Sequence, residues 1–243
     1  MREYRFYTAL ENIHNDIVVL DGDEHNHLSK VLRLTEGTNV TILSSDNLVR
    51  DCVITSITKR DTTLQVLDTA ECVEHLPDVT LFQALVRADK MDLIVQKCTE
   101  LGLKRFVPFQ SEYCTVQDKG NKIDRLNRIV LASCKQSGRL SAMTIEPTIQ
   151  FADLLGRLSE FDYVIFANEK ECKSASSILG KLTKKDKIAI VIGCEGGFSP
   201  SEASALIDAG AQSLSLGKLI LRAETASIAL TSVIMYTIGE WER

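Results

Sequence analysis

Ile192-Gly193-Cys194-Glu195-Gly196-Gly197-Phe198-Ser199-Pro200-Ser201-Glu202 is the stretch that decides the fold class. It closes a continuous apolar run, 188–193, of the kind found in strands covered on both faces. Ser199 and Glu202 have the spacing of a capping box, and Pro200 stands at the first helical position. The stretch therefore reads as strand, glycine turn, helix. Its glycines let the main chain turn sharply and approach a ligand without Cβ interference. The helix start offers unpaired N–H groups. A mere tight turn fits as well, because the pattern is neither GxGxxG nor a phosphate loop with Gly-Lys-Ser/Thr.

Working outward, the same alternation extends in both directions. Strands are expected at 79–86, 105–109, 163–167 and 213–216. Helices are expected at 89–101, 122–137, 153–158, 174–182, from Pro200 to Gly210, and at 224–240. Gly102 fits a left-handed helix cap. Such alternation implies an α/β domain with a mostly parallel sheet, whose ligands bind beyond the carboxyl ends of the strands. The first 75 residues have another rhythm. Short β-branched runs at 17–20, 39–43, 51–57 and 62–67 surround one helix, 24–33, with Leu28, Val31 and Leu32 as its apolar stripe. A small β-barrel is expected there. A composition break at 71–77 sets the domains at 1–73 and 74–243.

The chain has 243 residues, 44% hydrophobic and 25% charged, which excludes disordered and rod-like classes. No apolar run approaches the roughly 20 residues of a membrane helix. Met1 to Phe6 carries charges with no apolar stretch after them, so no secretory signal is expected. Seven cysteines, at 52, 72, 98, 114, 134, 172 and 194, form no CxxC clip, and the four histidines add no zinc-ligand spacing. Reduced thiols, a cytoplasmic location and no metal are the expectation. The formal net charge of −5 argues against a polycationic coat for nucleic acid. Its distribution is uneven: residues 1–75 carry 7 basic and 13 acidic groups, residues 76–145 carry 11 and 7. Lys122, Arg125 and Arg128 would share one face of a helix, which suits either plain solvation or contact with phosphates.

A second candidate loop is Leu216-Gly217-Lys218-Leu219-Ile220-Leu221-Arg222-Ala223-Glu224-Thr225-Ala226. It leaves a short strand and enters the last helix. Glu224 suits the positive end of a helix dipole whether or not it has a further role. Arg222 is equally a surface residue or a site residue. Two such loops at carboxyl ends of neighbouring strands would share one crevice, which favours a site over either loop alone.

Together these loops resemble the paired cofactor motifs of the ribosomal RNA small subunit methyltransferase E family, within the SPOUT superfamily. The resemblance runs along the whole chain. Arg5-Phe6 is similar to the family's Arg-x-Phe, and His27-Leu28 with Val31-Leu32-Arg33 to its HLxxVLR segment. Lys90, Gln96-Lys97 and Glu100-Leu101-Gly102 resemble its K…QKxxELG helix. Pro108, Ser111-Glu112 and Gln136-Ser137 with Arg139 follow in order. The family usually has Pro at Cys194, Thr at Ala223, Arg at Tyr113 and often Pro-Arg at Lys218-Leu219. Tyr113 and Leu219 each remove a cation, which bears on phosphate contacts; Cys194, Ala223 and Lys218 bear on loop stiffness or one hydroxyl contact, with the backbone amides intact.

The resemblance implies a PUA-like β-barrel for RNA, then a SPOUT α/β trefoil-knot domain with a parallel sheet. It implies a cytoplasmic homodimer that methylates N3 of a uridine in 16S rRNA of the small ribosomal subunit, using S-adenosyl-L-methionine. Phe166, Ala167, Asn168, Ile192, Gly193, Glu195, Gly196, Gly197, Leu216, Gly217, Ile220, Leu221 and Ala226 would hold the cofactor. Arg222 would stabilise charge on the uracil, while Glu224 or Glu195 would accept a proton or orient Arg222. Lys97 and Glu100 would form a helical ion pair. RNA contacts would come from Arg5, His27, Lys30, Arg33, Lys122, Arg125, Arg128 and Arg139. Two alternatives stay open: another RNA as substrate of a SPOUT enzyme, or a non-catalytic RNA-binding dimer. The intact glycine loop argues against the second.

Overall fold

The computed structural model describes residues 4–44, 46, 48–71, 76–117, 123–168 and 176–242. The chain divides into two compact units. One comprises 1–74 with 134–142; the other comprises 75–133 with 143–243.

The first unit holds β1 (Arg5–Tyr7), β2 (Ile13–His14), β3 (Ile17–Leu20), β4 (Asn39–Leu43), β5 (Leu48–Ile57) and β6 (Thr62–Glu71). They form one sheet in the order β1-β4-β5-β6-β3-β2, antiparallel except for β1 beside β4. Phe6, Val18, Leu20, Val40, Ile42, Cys52, Ile54 and Leu64 converge from five strands on one cluster, which requires the sheet to wrap around its own face. Register shifts at Asp51/Cys52 and Ile54/Ser56 bend β5 against β6.

The helix expected at 24–33 runs instead over 22–31 and is not one regular α-helix. Helix α1 (Gly22–Asn26) passes at His27–Val31 into a wider turn in which Leu32 N–H reaches the His27 carbonyl, and Arg33 ends it at φ +53. The extra residue per turn rotates the later side chains. Leu28 is buried and Leu32 packs on the core, but Val31 is 69% exposed, so it leaves the apolar stripe. Within the same unit the Tyr7 hydroxyl lies 2.6 Å from the Arg139 carbonyl and 3.2 Å from that of Cys134. Residues 134–142 therefore close on the start of the chain.

The second unit contains β7 (Val79–Ala84), β8 (Arg105–Gln110), β9 (Thr144–Ile145), β10 (Ile149–Gln150), β11 (Tyr163–Ala167), β12 (Ile188–Ile192) and β13 (Gln212–Leu214). The order is β10-β8-β7-β12-β11-β13, with β9 on β8, and every pairing is parallel. Helices are α2 (Ala88–Glu100), α3 (Ile123–Ser137, whose residues 134–137 belong to the first unit), α4 (Phe151–Arg157), α5 (Ser176–Leu179), α6 (Pro200–Asp208) and α7 (Ala223–Thr237). Strands β7 and β12 are buried at every residue; β12 is wholly apolar, whereas β7 buries Thr80 and Gln83 among its apolar residues. Gly102 takes φ +91 at the end of α2, the left-handed cap expected there. Of the helix expected at 174–182, residues 174–175 lie outside the described residues, and among 176–182 the helix is confined to Ser176–Leu179. Because all these strands run one way, their carboxyl ends share one edge of the sheet.

Candidate active site

Three loops leave that edge from neighbouring strands: 168 onward after β11, 193–199 after β12 and 215–222 after β13. Strand β11 lies between the other two, so the loops share one stretch of sheet edge. Asn168 N–H donates to the Leu214 carbonyl at 3.0 Å, which fixes the first step beyond β11.

The 193–199 loop is tightly built. Gly197 N–H donates to the Cys194 carbonyl at 2.9 Å, closing a four-residue turn. A Cβ on Gly193 would stand 3.0 Å from the Gly197 carbonyl carbon, and Gly197 sits at φ +70, so both positions require glycine. Glu195 and Gly196 are exposed at the loop's tip, whereas Gly193 and Cys194 are buried. Phe198 stacks edge-on against Phe166, 5.9 Å between centroids. The expected capping box is present: Ser199 Oγ accepts from Glu202 N–H at 3.2 Å, and Glu202 accepts from Ser199 N–H at 3.0 Å. The other Glu202 oxygen accepts from Glu112 N–H at 2.9 Å, tying the loop after β8 to α6.

Tyr113, from that same β8 loop, lies where a Cβ on Gly196 would meet its own Cβ at 3.0 Å. The residue at the family's arginine position thus packs on the glycine loop. Beside it, Cys114 accepts from Ser111 N–H at 3.4 Å and lies 3.1 Å from the Ser111 hydroxyl. A hydrogen bond from the Cys194 thiol, helped by those Ser111 donors, outweighs burial and pulls the Cys114 thiol down to about 6. Cys194 is pushed up by the same partner and by burial.

The 215–222 loop is looser. Ser215 Oγ caps a turn to Gly217, which takes φ +123. Leu219 and Ile220 are 80% and 79% exposed, and Leu216 and Leu221 are half-buried. Arg222 is the exposed N-cap of α7, in extended conformation. Glu224, in the first turn, is buried and accepts from Lys90 Nζ of α2 at 2.6 Å. Burial alone would raise this carboxyl, but the Lys90 ammonium, its own N–H and Arg222 hold it below the usual value. A carboxylate in that pair is a weak base, so the geometry suits the orienting role for Glu224. Ala226 is buried behind it. Lys97 and Glu100 form the expected ion pair at 2.9 Å.

The RNA-facing expectations divide. Arg5, Lys30, Arg33, Arg125 and Arg128 are exposed. Arg125 is paired with Asp92, and Arg128 Nε reaches the Asp124 carbonyl at 3.4 Å. Lys122 lies outside the described residues. His27 packs edge-on to Phe6, its ring partly covered. Arg139 is only 6% exposed, which removes it from an RNA-facing set. Among the described residues no cluster of His, Cys, Asp or Glu is suited to a metal, and no helix is long and apolar enough to cross a membrane.

Sequence reasoning passed over Gln83. This fully buried side chain of β7 donates from Nε2 to the Ala84 carbonyl at 3.0 Å and to the Gly193 carbonyl at 3.3 Å, and accepts from the Ser227 hydroxyl of α7. The available signal was a carboxamide inside the apolar run Val79-Thr80-Leu81-Phe82-Gln83-Ala84.

Known proteins resemble this chain over both units. A family model described as an RNA methyltransferase domain matches residues 74–235, and one described as an RNA methyltransferase PUA domain matches 20–67. The ribosomal RNA small subunit methyltransferase E of Bacillus subtilis is 31% identical over 227 residues, covering 89% of each chain. The crystal structure of the same enzyme from Neisseria gonorrhoeae, bound to S-adenosyl methionine, matches with a TM-score of 0.77 and 28% identity over 97% of this chain and 98% of that one. A probable rRNA-methyltransferase from Porphyromonas gingivalis matches at 0.82 with 25% identity, over 99% and 100%.

Proposed function

We propose that this chain, which belongs to the ribosomal RNA small subunit methyltransferase E family, methylates N3 of a uridine in 16S rRNA. It is an rRNA methyltransferase that uses S-adenosylmethionine, with a PUA-like domain before the methyltransferase domain. The residues fit that cofactor. Gly193 and Gly196 let the loop fold tightly against the Gly197 main chain and Tyr113, which would leave its main-chain groups to hold the cofactor, and Ala167, Leu216, Ile220 and Leu221 supply apolar surface for an adenine. Phe166, Asn168, Ile192, Glu195, Gly197, Gly217 and Ala226 complete the set that would hold it.

When bound, the cofactor supplies an electrophilic methyl group, so the protein's work is placement. Uridine N3 is hidden in a Watson–Crick pair, so the base must be unpaired or splayed out. It must also lose its proton. The Arg222 guanidinium, at the mouth of the 215–222 loop, would stabilise the negative charge left on the uracil carbonyls. Glu224, held in its pair with Lys90, would orient Arg222 and the first turn of α7. Exposed Glu195 is then the carboxylate with freedom to accept the proton. RNA would be held by Arg5, His27, Lys30 and Arg33 in the first unit and by Lys122, Arg125 and Arg128 in the second. Binding through phosphates should weaken steeply with salt.

Three further readings accompany this one. The exposed Leu219, Ile220, Val233 and Tyr236 favour a homodimer that covers them with a second copy. Family membership favours a trefoil knot in the second unit and a cytoplasmic location.

The observation that carries the proposal is the departure of three loops from the carboxyl ends of β12, β11 and β13, with Arg222 capping the helix that follows. The test is methyl transfer from labelled S-adenosylmethionine to small ribosomal subunits lacking this modification, followed by nucleoside mass spectrometry. New 3-methyluridine is expected. Label in any other nucleoside would overturn the assignment to N3, and absence of cofactor binding would overturn the enzymatic reading.

A further inference from the structure

A carboxamide at the centre of the parallel sheet links the glycine loop to the first turns of α7 by side-chain hydrogen bonds. Gln83 pairs in register with Ile192, the last residue of β12, so Gly193 is the first residue beyond the ladder. Its carbonyl there has left the strand pairing, and the Gln83 Nε2 supplies it with a donor at 3.3 Å. The opposite end of the same amide receives the Ser227 hydroxyl, one turn into α7. That hydroxyl also lies 2.9 Å from the Ala223 carbonyl, at the residue following Arg222. The amide's orientation is fixed by its surroundings: two carbonyls, of Ala84 and Gly193, face one end and a hydroxyl faces the other. Reversed, it would set oxygen against two carbonyl oxygens. Gln83 and Ser227 are both fully buried, where unmade hydrogen bonds are costly and made ones are rigid.

We propose that Gln83 is a positioning residue for methyl transfer, which sets the register between the glycine loop at Gly193 and the Arg222-capped start of α7. The proposal rests on the reading of these two loops as cofactor and base sites. Its two ends have separate consequences. The Nε2 end shapes the loop that would hold the cofactor. The Oε1 end, through Ser227, sets where α7 begins and so where Arg222 points.

The test uses the full-length protein with three variants: Gln83→Met, Ser227→Ala and Ser227→Thr. Cofactor affinity is read by calorimetry, turnover on small subunits by label incorporation, and folding by thermal unfolding. Gln83→Met is expected to weaken cofactor binding about tenfold and to lower turnover further. Ser227→Ala is expected to lower turnover about tenfold with cofactor affinity within about twofold. Ser227→Thr, which keeps a hydroxyl, should recover most of that turnover. Wild-type turnover in a folded Ser227→Ala protein overturns the proposal, and this holds even where Gln83→Met fails to fold. Equal loss in the Ala and Thr variants also overturns it, since a packing role alone would explain that. A wild-type protein that binds no cofactor removes the underlying reading instead, and the proposal with it.

Discussion

The 193–199 and 215–222 loops leave strands on either side of β11 and both end at helix starts, yet they are built by opposite means. The first is closed on itself by Gly197 N–H to Cys194 carbonyl, anchored by Gln83 and clamped at its far end by the Ser199–Glu202 box. The second has a short Ser215 turn and then presents Leu219 and Ile220 almost wholly to solvent. The first loop is held in one shape by its own hydrogen bonds. The second presents apolar surface to solvent, which the proposed cofactor or a second copy of the chain would cover. One loop is thus specified by its own sequence, and the other by what it meets.

Breaking the prebuilt loop should have the largest effect. Gly193→Val places side-chain atoms against the Gly197 main chain, where even a Cβ stands at 3.0 Å. Cofactor affinity, by calorimetry, should fall about a hundredfold or more, well over 2 kcal/mol. Native affinity would show that this loop is not prebuilt.

Loosening the anchor of α7 comes next. Lys90→Met leaves the Glu224 carboxylate buried without its partner, and thermal unfolding should register a loss of about 1–2 kcal/mol. The pH dependence has a definite sign. The folded Glu224 carboxyl titrates below its ordinary 4.5, so the folded state holds fewer protons there than the unfolded one. Its contribution to stability is present above pH 4.5 and disappears as pH falls through the lowered value. Lys90→Met should flatten that acid-side loss, and an unchanged acid profile would contradict the pairing.

The exposed loop should behave differently. A Leu219→Ser, Ile220→Ser protein should unfold within about 0.5 kcal/mol of the wild type, as surface changes do. Sedimentation should nevertheless show weaker self-association. A large loss of stability with unchanged association would mean that these side chains pack within one chain.

The smallest effect is a local probe of the first loop. Cys114, drawn down to about 6 beside Cys194 and Ser111, should be alkylated with a midpoint near that pH in the protein without cofactor. Cys98, fully buried and pushed up to about 12, should stay unreactive. A Cys114 midpoint near 9 would mean that the 193–199 loop is not closed over it.

What was legible in the sequence follows the same division. Ser199-Pro200-Ser201-Glu202 predicts a helix start because every signal lies within four residues, and α6 begins at Pro200. The parallel direction of the strands follows from the alternation of elements, whereas their order β10-β8-β7-β12-β11-β13 does not. Gln83 was not legible as a link, because its partners lie 110 and 144 residues away. The wide turn at His27–Val31 leaves no mark on a 3.6-residue pattern, so that pattern places Val31 on the buried stripe although it is exposed. Strands β9 and β10, two residues each, are too short to have a period. Arg139 matched a motif, but a motif does not report burial.

The central claim is a division of labour: main chain of the first loop holds the cofactor, and Arg222 at the end of the second acts on the uracil. Single-turnover methyl transfer by an Arg222→Ala protein, measured alongside its cofactor affinity, tests this most directly. The account predicts a fall in rate of about a hundredfold to a thousandfold with affinity within about threefold. A wild-type rate, or a loss of affinity as large as the loss of rate, would contradict it.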